Sequence, residues 1–179
     1  MRLFFSIPLP GEVRKRLEGV LKDLGKTGVK ATNTKFEQMH ITLLFLGEKT
    51  ETEAKKIIEN AKGIDMHPFR LAIRNVGFFP NDKFIRIVWA GAEDGNGELK
   101  LLHSRLSKAA SKEPEKDFFG HATLARIKAR RNINNLKAFG KSWSNAVFGE
   151  FDVKEFALMN SELTPEGAKY TVVEKFQLG

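Results

Sequence analysis

Cysteine is absent from the 179-residue chain, which excludes a disulfide framework, a thiolate nucleophile and a thiolate metal site. A reducing compartment suits such a chain. No targeting or membrane segment is visible either: the N-terminal stretch MRLFFSIPLPGE has one cation and a short apolar run, but Pro8, Pro10, Gly11 and Glu12 end it early. It reads as the first strand of the fold, and a cytoplasmic location is expected. Glycine-rich phosphate loops and nucleotide-binding lysine motifs are missing, which disfavours an ATP-dependent ligase. Acidic residues are the minority, 22 against 30 Lys plus Arg, giving a formal charge of +8 and a pI near 9.7. An anionic partner follows, with nucleic acid the first candidate, beside the plainer reading of a soluble protein with a basic surface.

Hydrophobic residues make up 41% of the chain, enough for a sizeable core. The order of elements repeats. RLFFSIPL reads as a strand bounded by proline, and Val13, Leu17, Val20, Leu21 and Leu24 follow at helical spacing. HITLLFL is a strand, ETEAKKIIENAK a helix and PFRLAIRNVGFF a strand. FIRIVWAG then starts again as a strand, Leu99, Leu102, Leu106 and Ala109 form a helical stripe, and HATLARI, NINNLKAFGKSW, FDVKEFALM and KYTVVEKFQL complete the series. His121 lies 81 positions after His40, Leu124 81 after Leu43 and Phe151 82 after Phe69. Such offsets predict one domain of two pseudo-symmetric lobes, about 1–80 and 81–179. Turn chemistry at Phe79 to Asp82 marks the boundary, and the C-terminal strand is a candidate to cross over.

The strongest signal is a repeated tetrapeptide, HITL at 40–43 and HATL at 121–124. Two such matches among four histidines arise by chance with a probability of about 10⁻⁴. One copy alone would suit a satisfied core ring with a threonine neighbour. Strand alternation sets His40 with Thr42, and His121 with Thr123, on one face, while Ile41, Leu43, Ala122 and Leu124 face the other way. Two imidazoles can give and take a proton at neutral pH, and hydroxyls can hold the non-bridging oxygens of a phosphodiester.

These motifs, with MRLFFSIPLP, IRIVWAG and the tail FALMNSELTPEGAKYTVVEKFQL, give a chain that resembles the two-histidine phosphoesterase superfamily over nearly its whole length. Within it the likeness is to the RNA 2′,3′-cyclic phosphodiesterases, also known as 2′-5′ RNA ligases. The resemblance implies an α+β fold, bilobal by internal duplication, with two antiparallel sheets facing a central cleft and helices outside. It implies hydrolysis of RNA 2′,3′-cyclic phosphate ends to 2′-phosphomonoesters, with 2′-5′ ligation as the reverse, and neither metal nor cofactor. Carried over residue by residue, His40 is the proton donor, His121 the proton acceptor, and Thr42, Thr123 and Arg126 bind phosphate. The family often has proline before the second motif, where this chain has Gly120.

By strict alternation Arg126 lies opposite His121, so its role requires a bulge, a twist or a long reach back. Phe45 stands at the equivalent first-motif position; parity puts it in the core, and stacking a nucleobase is the alternative. The remaining phenylalanines, Trp89 and Trp143 read as core. Lys128, Arg130 and Arg131 could track an RNA backbone or form an exposed loop. His67 and His103 lack metal-ligand spacing and read as structural or surface residues. Partners implied are RNA with 2′,3′-cyclic phosphate ends, with tRNA fragments and small cyclic nucleotides as candidates, and a chain that completes its own cleft implies a monomer. A non-catalytic RNA-end-binding protein of the same fold is the competing reading, and a histidine metal hydrolase a third that the scattered acidic and histidine residues disfavour.

Overall fold

Proline and glycine punctuation, alternation and helical stripes become the elements expected of them in the computed structural model, which describes residues 1–129, 131–165 and 167–179. The first half holds β1 (Arg2–Pro8), α1 (Gly11–Lys26), β2 (Ala31–Asn33), a 3₁₀ turn (Phe36–Gln38), β3 (His40–Glu48), α2 (Glu51–Lys62) and β4 (Phe69–Pro80). The second holds β5 (Ile85–Asp94), α3 (Glu98–Ala109), β6 (His121–Ile127), α4 (Ile133–Ser142), β7 (Val147–Val153), β8 (Glu155–Thr164) and β9 (Gly167–Gln177). Thr50 caps α2 reciprocally with Glu53, side chain to main chain in both directions. The stretch FDVKEFALM, which reads as one strand, breaks at Lys154 into β7 and β8.

All strand pairs are antiparallel, in the order β7-β4-β5-β6-β3-β1-β8-β9, with β2 added to β6. The architecture is the α+β one expected. Its two half-sheets meet at one pair, Ile41 with Ala122, between β3 and β6. About this seam the order is mirrored: β3 answers β6, β1 answers β5, β8 answers β4 and β9 answers β7. Because only Lys154 separates β7 from β8, which lie towards opposite ends of this order, the sheet must curl until they come within one residue of each other.

The half-sheets do not part near residue 80, as the repeat offset suggests. The four residues between β4 and β5 are too few for anything but a hairpin, which obliges β4 to lie beside β5. Each half therefore receives strands from the other half of the chain: β4 joins β5 and β7, and β8 joins β1. Phe69 and Phe151 are accordingly not equivalent. They lie on the neighbouring strands β4 and β7, where Phe151 pairs with Leu71.

Helices α1 and α3 lie against the strands that carry the two motifs, α1 on β6 and β7 and α3 on β3. Their apolar stripes, including Leu17, Val20, Leu102 and Leu106, bury with Ile41, Leu43, Leu71, Val88, Ala122 and Leu124. That burial supplies the main driving force of folding. It also leaves His40, Thr42, His121 and Thr123 half-buried at alternate positions of their strands.

Candidate active site

Each histidine is the first residue of its strand and is held in the same way. The Nδ1 of His40 donates to the Gln38 carbonyl at 2.6 Å, and the Nδ1 of His121 to the Phe119 carbonyl at 2.8 Å. A carbonyl can only accept, so both rings keep their hydrogen on Nδ1 and leave Nε2 as the nitrogen that titrates. In His40 that nitrogen meets the Thr42 hydroxyl at 3.1 Å. Gln38 is tied in turn, its amide donating to the Ala168 carbonyl at 2.7 Å. Around His40 stand Phe4 and Tyr170, with ring centroids 5.1 and 5.4 Å away, and around His121 stand Phe79 and Phe119, at 4.9 and 6.1 Å.

A matched pair of bulges resolves the parity of Arg126. On β3, Thr42 pairs with Ser6 and Leu44 with Phe5, leaving Leu43 without a partner on β1. On β6, Thr123 pairs with Trp89 and Ala125 with Val88, leaving Leu124 as the extra residue. Each bulge puts two buried residues in succession, Leu43 with Leu44 and Leu124 with Ala125, and reverses the alternation beyond them. Arg126 thus turns to the same side as Thr123. Phe45 turns likewise and is 59% exposed, which corrects its expected place in the core. Phe119 is also exposed rather than core, and Trp89 is half-buried, its ring lying over Gly77, where a Cβ would collide with it.

A cavity of about 560 Å³ is lined by His40, Thr42, Thr123 and Arg126, with Phe4, Phe45 and Tyr170 among its walls. Four of the five expected site residues are brought together there. His121 stands outside that lining, at the seam: the antiparallel order at Ile41–Ala122 brings His40 to the Thr123 side and His121 to the Thr42 side. Diagonal neighbours across such a pair are about 7–8 Å apart. That spacing leaves room for a phosphate between two rings.

Burial lowers the proton affinity of His40, the Gln38 carbonyl partly restores it, and charge on His121 lowers it further. Burial also lowers His121, against the Phe119 carbonyl and the Glu115 carboxylate, which favour its charged form. The repulsion between the two ring charges is mutual, so a proton on either ring makes the other harder to charge.

Gly120, where the resembling family often has proline, is buried, and a Cβ there would approach the Leu99 side chain to 2.8 Å and the Ala92 carbonyl to 3.2 Å. Its own carbonyl accepts from the Ala92 N–H at 2.9 Å. Gly120→Ala is expected to destabilise by about 1–3 kcal/mol through overpacking, read as a lower melting temperature; an unchanged one would show that Leu99 simply moves aside. Lys128 and Arg131 are exposed, and Arg130 lies outside the described residues. His67 is exposed and His103 buried. Among the described residues no cluster of three or more His, Cys, Asp or Glu is placed to hold a metal ion, and no helix is long and apolar enough to cross a membrane.

Phe4, Tyr170 and Thr34 escape a reading of the sequence motifs. Tyr170 arrives on β9 through β8, which crosses to β1. Thr34 lines the cavity and clamps the second motif, its hydroxyl donating to the Thr123 carbonyl at 2.8 Å. The alternation in KYTVVEKF could have flagged Tyr170; nothing local flags Thr34.

Residues 7–89 match the family described as LigT like Phosphoesterase. An RNA 2′,3′-cyclic phosphodiesterase of Archaeoglobus fulgidus is 36% identical over 99% of this chain and 100% of its own. A crystal structure from Thermus thermophilus superposes with a TM-score of 0.79 at 34% identity, covering 99% of this chain and 98% of that one. Escherichia coli LigT complexed with 3′-AMP superposes with a TM-score of 0.78 at 24% identity, covering 99% and 96%, a likeness of fold alone.

Proposed function

The chain belongs to the LigT-like phosphoesterase family, and we propose that it hydrolyses the 2′,3′-cyclic phosphate ends of RNA to 2′-phosphomonoesters, with His40 and His121 as the proton pair. One observation carries this reading: two rings at a shared seam, each anchored through Nδ1 to the carbonyl two residues before it and each offering Nε2. Water attacks phosphorus as the Nε2 of His121 takes its proton. The bond from phosphorus to the 3′ oxygen breaks, and the Nε2 of His40 gives its proton to that oxygen. The phosphate stays on the 2′ oxygen, the 3′ hydroxyl is restored, and exchange with solvent resets both rings. Thr42, whose hydroxyl hydrogen is free to turn to the substrate once the Nε2 of His40 is protonated, and Thr123 donate to the non-bridging oxygens, and the Arg126 fork balances their charge. A 5′-hydroxyl in place of water gives 2′-5′ ligation by the same steps, and running them backwards cleaves a 2′-5′ bond to the cyclic phosphate.

His40 must therefore be protonated when it acts, although burial and the charge of His121 hold its proton affinity down in the free protein. The negative charge of the bound phosphate raises its affinity again. Because both rings are lowered when free, the bell-shaped profile of kcat/KM should have its alkaline limb below pH about 6.5, the ordinary histidine value, with the limb for kcat displaced upwards. Rates measured from about pH 5 to 8 decide this; a flat profile would count against a histidine pair.

Within the same reading the chain is a single domain of two pseudo-symmetric lobes, supported by the mirrored strand order about the seam. It acts as a monomer in the cytoplasm, supported by a cleft that one chain completes, and tRNA fragments or small cyclic nucleotides are its candidate substrates. The direct test is to incubate RNA ending in a 2′,3′-cyclic phosphate with the protein in EDTA and identify the product. A 2′-phosphate is expected. RNA that stays bound and unchanged would overturn the proposal in favour of a protein that only holds RNA ends.

A further inference from the structure

His103 has no place in the steps above, yet it is 1% exposed and bonded at both ring nitrogens. It lies on the buried side of α3 with Leu99, Leu102 and Leu106. Its Nδ1 donates to the Leu43 carbonyl at 2.7 Å, and its Nε2 accepts the Glu115 N–H at 2.9 Å. The ring is stacked on Phe118, centroids 4.2 Å apart and planes 8° from parallel.

Both bonded partners adjoin the site: Leu43 follows Thr42 on β3, and Glu115 lies in the loop that leads to His121. Leu43 is the extra residue of the β3 bulge and has no partner in the register with β1 or with β6. An uncapped carbonyl buried at that point would be costly. The β6 bulge meets the same need differently, its Leu124 carbonyl accepting the Thr34 N–H at 2.8 Å. The other end of the His103 ring reaches the loop that leads into β6. That loop supplies Glu115, which favours charged His121, and Phe119, whose carbonyl orients the His121 ring.

We propose that His103 is a positioning residue that ties the strand bearing His40 and Thr42 to the loop that orients His121, holding the two halves of the proton pair at a fixed separation. The inference rests on the two-histidine reading above. Loss of the tie lets the halves drift. A misplacement of about 1 Å can cost about 10²-fold in rate, and because Thr42, Thr123 and Arg126 all keep their side chains, the loss falls on kcat more than on KM.

Two pairs of variants test this. Glu115→Pro removes the N–H donor from an exposed loop, whereas Glu115→Ala removes the carboxylate and keeps the N–H. His103→Phe keeps the stack on Phe118 and removes both bonds, and His103→Asn retains a donor for the Leu43 carbonyl but falls short of Glu115. The expected result is a kcat for Glu115→Pro about tenfold below that of Glu115→Ala, with KM within about twofold and a melting temperature lowered by only a few degrees, as one unpaired ring nitrogen costs. His103→Asn should fall to the level of Glu115→Pro and His103→Phe lower still. Equal kcat in the two Glu115 variants, or a loss that appears in KM alone, would overturn the proposal, and this pair decides the matter even if the His103 variants fail to fold. If His40→Ala remains fully active, the two-histidine reading has failed instead, and the two failures are thereby told apart.

Discussion

Alanine at His40 or at His121 is expected to lower kcat by about 10²–10⁴-fold, the usual range for losing a positioned general acid or base. In the proposed mechanism the two rings act as one concerted pair, so the double variant should be scarcely slower than either single one. Both histidines are also anchors, through Nδ1 to Gln38 and to Phe119, and alanine removes anchor and proton carrier together. Asparagine separates them, since its amide can still donate to the same carbonyl while offering nothing at the place of Nε2. Each asparagine variant should be as slow as its alanine counterpart but melt closer to the wild type. Single-turnover hydrolysis of an end-labelled cyclic-phosphate RNA, with melting curves alongside, reads both quantities. Full activity in any of the four would end the mechanism.

The next largest effect belongs to Arg126. Removing one preorganised donor from a developing oxyanion costs about 10²–10³-fold, and Arg126→Ala is expected to lose that much in kcat/KM. Arg126→Lys keeps the charge but not the planar fork that matches two phosphate oxygens, and should recover only a small part of the loss. Were Arg126 merely a solvated charge at the end of a strand, both variants would stay within a few-fold of wild type. The bulge at Leu124 gives this prediction its force, because without it the guanidinium would start from the opposite side of β6.

That bulge also marks how far the sequence can be read. The two H-x-T-L copies, their offset and the alternation around them place His40, Thr42, His121 and Thr123 on the correct sides of their strands, and the helices fall where their stripes put them. Bulges leave only a faint trace, the consecutive apolar pairs Leu43–Leu44 and Leu124–Ala125, which read equally well as ordinary strand interior. Phe45 was misplaced for that reason. The exchange of β4 and β8 between halves is hidden for another: an offset records which elements resemble each other, whereas hairpin length decides which strands can be neighbours. His103 reads as an unremarkable helix residue because its two bonding partners are 60 residues before it and 12 after it.

A sulfur-substituted substrate separates the proton donor from the proton acceptor most directly. In an RNA end whose cyclic phosphate has sulfur at the 3′ position, the leaving group is a thiolate of pKa about 8.5, which departs without needing a proton. On this substrate His40→Ala should return to within about tenfold of the wild-type rate, while His121→Ala, still lacking the base that activates water, should remain about 10²–10⁴-fold slow. Rescue of His121→Ala with His40→Ala left slow would contradict these assignments and reverse the two roles.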